Sequence, residues 1–350
     1  MKHLLIVLTS ILLFTYVSFS QDKPAGKVHG YVFGDYFYVL DADQLASRGS
    51  GQYSSVKKDF QAFQFRRMYL YYDYTFNDDF SAQFLLEGND KTDKIDGKYG
   101  LFVKTAYLEW KELIPMGSIT LGLVPTPTWS LLSEKVWNYR SIEKTIIDFR
   151  GFGNASDFGV LFRGKFDEKG MFNYSAMIGN GSGQKPEMNK YKKYYLSLSV
   201  KPIKEFVMEG YIDYEPAADE KYKTTLKGFA AYQTESITGG IEIFQQFQNK
   251  AGINNVNIIP FGVSFFLWAP IPGTEKLNGF ARFDIFNPDI NVNDAGFNEN
   301  FITFGFDYMP IKDIHFMPNL WINTYSNKKP NGSKRNPDVV GRLTFFYVYK

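Results

Sequence analysis

The sequence predicts an all-β chain closed into a transmembrane antiparallel β-barrel of about 16 strands, with long loops at one end and short turns at the other. Three observations carry the prediction. Aromatic residues make up 18% of the chain, led by 34 Phe and 24 Tyr, yet mean hydropathy is only -0.27. Polar and apolar residues alternate with period two from near Val28 to Tyr349, the spacing of a sheet with different solvents on its two faces. The segments between these runs alternate regularly between long and short.

The N-terminus reads as an export signal over residues 1–20. Lys2 and His3 precede an apolar run from Leu4 to Val17, and Ser18-Phe19-Ser20 forms a small-x-small cleavage site before Gln21. The run is short for a membrane helix, which needs about 20 apolar residues. Residues 21–350 are then expected to form one barrel domain. The chain has no cysteine, which excludes disulfide scaffolds, thiolate metal sites and thiol nucleophiles. Formal charge is +2, with acids and bases evenly mixed, so no charge block suggests a nucleic-acid partner.

The first strand candidate is VHGYVFGDYFYVL. In the next, AFQFRRMYLYYDYTF, Met68, Leu70, Tyr72, Tyr74 and Phe76 fall on one face, opposite Arg67, Tyr69, Tyr71, Asp73 and Thr75. Asn77-Asp78-Asp79 turns this strand into Phe80, Ala82, Phe84 and Leu86, with Glu87 on the polar face. A strand over Phe102–Trp110 follows, and then the first of the two segments GSITLGLVP and SDFGVLFRGKF. Further strands centre on Phe172–Ile178, Tyr194–Val200, Phe206–Tyr214, Thr224–Thr234, Gly240–Phe247, Val256–Trp268, Leu277–Phe286, Phe301–Tyr308, Phe316–Tyr325 and Val339–Tyr349. Long loops near 41–59, 88–100, 126–155, 180–192, 215–223, 248–255, 287–299 and 326–337 alternate with short turns, which places both termini at the short-turn end. Soluble sandwiches also have short strands and regular turns, but they do not sort their loops this way or need aromatic ends on their outward faces.

A membrane sheet must close to pair its backbone groups. At about 16 strands the interior is too wide for side chains to fill. The polar parity then lines the lumen with Arg67, Asp73, Glu87, Glu109, Asp157, Arg163, Lys165, Glu209, Asp213, Glu242, Arg282, Asp284, Asp307 and Arg342, a mixed set with more acids than bases. Any one of them also reads as half of an interstrand ion pair.

Residues 126–155 interrupt the alternation, and an insert of that length inside a compact domain signals a functional loop. Glu134, Lys135, Arg140, Glu143, Lys144, Asp148 and Arg150 lie there among Trp129, Trp137, Tyr139 and Phe149. Folded inward, they would form a pore constriction; folded outward, they would cap the mouth. Leu132, Val136, Trp137, Ile142, Ile146 and Ile147 stand near helical spacing, compatible with a short amphipathic helix.

No cofactor and no enzymatic activity is expected. The mature chain has only His29 and His315, each near the start of a strand at the short-turn end, where an interfacial histidine is the plain reading. Two histidines are too few for a metal site. Gly151-Phe152-Gly153 and Gly179 to Gly183 lack the strand-to-helix setting of a phosphate loop and read as turns.

The motifs FQFRRMYLYYDYTF, FVKTAYLEW followed by ITLGLVPTP, FNYSAMIGNGSG and the closing RLTFFYVYK resemble the bacterial outer-membrane porins, and in more detail the phosphate-selective porin O and P family. The resemblance implies a homotrimer of barrels in outer-membrane lipid, with the loop after the fifth strand folded inward. Members of that family line their channels with arginine and lysine, whereas the acid-rich wall set here departs from the pattern. Lys135, Arg140, Lys144 and Arg150 keep an anion preference open. The expected function is a passive outer-membrane channel for small hydrophilic solutes or ions. A plugged structural or adhesive barrel and a substrate-specific outer-membrane transporter are the alternatives.

Overall fold

A computed structural model describes residues 24–43, 56–89, 98–291, 298–326 and 334–350. The export signal, and the middles of the loops near 41–59, 88–100, 287–299 and 326–337, lie outside the described residues.

Sixteen antiparallel strands close into one barrel, each paired with its neighbours in chain order and β1 paired with β16. In order these are β1 Ala25–Asp41, β2 Gln61–Thr75, β3 Phe80–Gly88, β4 Leu101–Lys111, β5 Gly117–Pro125, β6 Ser156–Lys165, β7 Phe172–Gly179 and β8 Lys193–Ile203. They continue with β9 Phe206–Pro216, β10 Tyr222–Gln233, β11 Thr238–Gln248, β12 Phe261–Pro270, β13 Leu277–Asn287, β14 Glu299–Ile311, β15 Ile314–Tyr325 and β16 Asp338–Tyr349. The predicted fold class holds. One strand starts later than expected: residues 253–255 form a 3-10 turn with Asn254 and Asn255 at positive φ, and Pro260, which lacks an N–H, holds the start of β12 back to Phe261.

The two parities meet different surroundings. Met68, Leu70, Tyr72, Phe84, Leu196, Leu198, Ile212, Phe265, Leu267 and Phe304 are all exposed on the outer face. Their inward neighbours, such as Tyr69, Leu85, Tyr195, Ser197, Tyr211, Phe266 and Thr303, are buried. An apolar band around a closed sheet is stable against lipid and unstable against water. Among the described residues no helix is long and apolar enough to cross a membrane.

Two of the bulges in the wall bring basic residues inward. Phe33 pairs with Arg67 and Gly34 with Phe65, so Arg66 is an extra residue in β2 and both arginines turn inward. In the same way Leu85 pairs with Thr105 and Leu86 with Val103, so Lys104 is extra in β4.

Candidate functional site

The segment 126–155 leaves β5 at the long-loop end and packs on the inner face of the wall. Two short helices form within it: α1 Ser133–Trp137, ended by Asn138 in the left-handed conformation at φ 61, and α2 Ile146–Phe149. The predicted helical spacing thus yields two single turns separated by an irregular stretch. Their apolar side chains pack against the wall. Val136, Trp137, Tyr139 and Ile142 cluster with Val207, Phe229, Phe266, Phe280 and Met317, while Ile146 and Ile147 cluster with Phe244 and Phe286. The Tyr139 ring stacks on Phe280 at 4.6 Å, and Trp137 meets Phe266 edge-on at 5.3 Å.

Polar contacts fix the backbone of the segment. Arg66, 4% exposed, donates from Nη1 to the carbonyls of Ser141 at 2.8 Å and Ile142 at 2.9 Å. Its Nε lies 3.4 Å from Asp35 and its Nη2 3.8 Å from Glu143. Arg282 donates to the Lys144 carbonyl while holding Asp284. The Tyr139 hydroxyl donates to Asp307 at 3.2 Å, and the Trp321 indole donates to Glu143 at 2.9 Å. Buried charged groups held this way are costly to separate, which argues for a fixed position.

The seven charged loop residues divide into three groups. Arg140 lies 2.9 Å from Glu134 and 2.5 Å from Asp148, and Lys144 is 3.6 Å from Asp148. Glu143 belongs with Arg66, and Arg150 is buried against Glu299 and Asn323. Lys135 is exposed and has no carboxylate partner among the described residues. Although its side chain reaches water, desolvation by the surrounding segment and wall, followed by the neighbouring Arg163, holds its ammonium pKa below the usual lysine value. Burial raises the Glu134 carboxyl, whereas Asp148, also buried, is held low by Lys144 and Arg140. Counting Arg140 and Arg150 among the cations available to a solute therefore needs correction, because both are taken up in ion pairs.

The wall residues Arg67, Asp73, Glu87, Glu109, Asp157, Arg163, Lys165, Arg282, Asp284, Asp307 and Arg342 all occupy the inner parity. Most are paired within the wall. Glu87 takes Arg67 at 3.0 Å and Lys104 at 2.9 Å, and Glu109 takes Arg163 at 2.8 Å and Ser118 at 2.7 Å. Asp157 accepts from Tyr195 and from the amides of Gly181 and Gly183, while Arg342 donates to Asn319 at 2.7 Å. Glu209 and Asp213 are met by Lys227 at 2.6 Å and Lys193 at 3.0 Å. Glu242 accepts from the Ile147 amide.

The inner set is larger than alternation alone gives, in both signs. Arg66, Lys104, Lys193 and Lys227 belong to it, the first two because a one-residue bulge inverts parity locally, and so do the buried acids Asp35, Glu299 and Asp338. Lys227 was legible, since it alternates with Thr225 and Phe229. Both histidines, near the starts of β1 and β15, face inward, His29 2.7 Å from Asp73 and His315 2.9 Å from Asp307.

Beneath the loop, towards the short-turn end, a cavity of about 380 Å³ is lined by Lys135, Arg163, Lys165 and Lys201 together with Ser118, Ser175, Ser197 and Ser199. Lys165 and Lys201, like Lys135, have no carboxylate partner among the described residues. Glu209 also lines this cavity but is neutralised by Lys227. A concentration of unpaired cations facing water attracts anions.

No protein-family model matches the chain, and no curated protein is similar to it in sequence at a significant level. In three dimensions it is similar to the outer-membrane channel DcaP of Acinetobacter baumannii, with TM-score 0.70 and 13% identity, over 94% of this chain and 99% of that one. The anion-selective porin from Comamonas acidovorans follows with TM-score 0.63 and 11% identity, over 93% and 100%. OmpF of Salmonella typhi gives TM-score 0.62 and 12% identity, over 92% and 97%. The chain therefore has the porin fold. Nothing in these likenesses singles out the phosphate-selective family.

Proposed function

We propose that the protein is a passive, water-filled outer-membrane channel for small hydrophilic solutes, constricted by the loop 126–155, and that it passes anions more readily than cations. The closed wall with an apolar outer band supports the membrane location, and the porin fold supports the channel. The observation that carries the ionic preference is the cavity where Lys135, Lys165 and Lys201 face water without counter-charges. Fixed charge at a narrow, partly dehydrated place selects ions by sign. An adhesive barrel with a sealed lumen finds no comparable support, because it has no use for unpaired cations beside a cavity. A homotrimer remains part of the proposal by analogy, one similar structure being a trimer form of OmpT from Vibrio cholerae.

The test is the reversal potential under a salt gradient across a planar bilayer. The wild type should reverse on the anion side, and K135Q combined with K165Q and K201Q should move the reversal towards zero. An unchanged potential would remove the cavity from the account of selectivity.

A further inference from the structure

The wall facing the loop across the lumen carries aromatic rings where an aqueous pore has no evident need of them. On the inner parity of β1, β2, β15 and β16, His29 stacks on Tyr71 at 4.7 Å with ring planes 8° apart. Tyr71 neighbours Tyr31 at 6.2 Å, Tyr31 meets Phe346 at 5.8 Å, and Phe346 meets His315 at 4.9 Å. Phe33 and Tyr69 are buried beneath this belt, whereas Tyr31, Tyr71 and Phe346 keep part of their surface accessible. Partly exposed rings on the water side lose hydrophobic free energy unless something apolar passes over them.

The rings open onto a second cavity of about 210 Å³. Tyr31, Phe33 and Phe346 form one side, and Glu134, Lys135, Asn138 and Arg140 of the loop form the other. The loop side offers both donors and acceptors: an amide at Asn138, a carboxylate at Glu134 and an ammonium at Lys135. A hydroxyl group uses both kinds, while a bare aromatic solute would leave the acceptors unused. Lys135 lines this cavity and the cationic one alike, so a ring lying on Tyr31 has an unpaired ammonium at its edge.

We infer that the preferred solute is a pyranose ring bearing an anionic group, such as a sugar phosphate. The apolar C–H face of the sugar lies over Tyr31 beside Phe346, with Tyr71 holding Tyr31 from behind at 6.2 Å, its hydroxyls bond to Asn138 and Glu134, and its phosphate sits between Lys135 and Lys165. The inference rests on the channel reading and names the solute class of the same lumen. Neither half of the solute alone satisfies both cavities.

The experiment compares glucose 6-phosphate, glucose, inorganic phosphate and benzoate as blockers of potassium chloride current through the full-length protein in a planar bilayer. Glucose 6-phosphate should block at least about tenfold more strongly than phosphate or glucose, one such factor corresponding to the loss of one good contact. Y31A combined with Y71A should reduce its affinity to that of phosphate, Y31F with Y71F should keep it, and K135Q should reduce it to that of glucose. Equal block by phosphate and glucose 6-phosphate, stronger block by benzoate than by the sugar, or insensitivity to the tyrosine substitutions would each overturn the inference. Saturation-transfer NMR of glucose 6-phosphate on the protein in detergent micelles gives a current-independent readout. A bilayer silent in potassium chloride would remove the channel reading, while transfer to the sugar C–H protons, lost in the double alanine variant, would still support the site. Absence of transfer in the wild type would remove the site whatever the bilayer does.

Discussion

Arg66 holds the loop in place with one side chain. Its Nη1 donates to two adjacent carbonyls while Nε and Nη2 face Asp35 and Glu143, a set of partners around one planar group that a single lysine ammonium cannot span. Charge-assisted hydrogen bonds of this kind are worth about 1.5–3 kcal/mol each, and R66A also strands Asp35 and Glu143. R66A is therefore expected to loosen the loop and to give larger, noisier single-channel currents, with R66K intermediate. Currents identical to wild type in R66A would show that the aromatic and aliphatic packing of the loop holds it unaided. Two carboxyls of the loop respond to acid differently. Burial raises Glu134, so it takes up its proton above the usual carboxylate range, while Lys144 and Arg140 keep Asp148 ionised to well below it. Mild acidification should then remove one negative charge beside Arg140 and leave the other. Anion preference, read as reversal potential against pH, should rise as pH falls, and E134Q should flatten that rise.

The loop as an element was legible because its sequence abandons period two between two segments that keep it. Its inner detail was less so. The apolar residues at 132, 136, 137, 142, 146 and 147 fit a helical stripe, but the segment is pulled into two single turns by its attachments to Arg66, Arg282 and Asp307 on distant strands, and no local signal encodes those partners. The wall illustrates the same division. Alternation placed fourteen charged positions on the inner face from sequence, and it failed at Arg66 and Lys104, where a bulge adds a residue and nothing in composition announces it. Pairing was out of reach altogether, since Arg150 finds Glu299 across 149 positions of chain. Removing residues 128–153 should leave a closed barrel and raise conductance several-fold above an already measurable current. A rise from zero would mean instead that the loop is a plug.

At the scale of the whole molecule, strand number fixes what the interior can be. Sixteen strands enclose more space than their inner side chains fill, and one thirty-residue segment narrows that space without the wall having to change. Most wall charges neutralise one another, so the net field inside comes from the few that do not, and these gather below the loop beside the aromatic belt. The central claim is that this space is a continuous aqueous path. Single-channel recording of the refolded protein in a planar bilayer tests it most directly. The account predicts discrete, long-lived current steps that scale with salt concentration, and a bilayer that stays silent while the protein is demonstrably folded and inserted would contradict it.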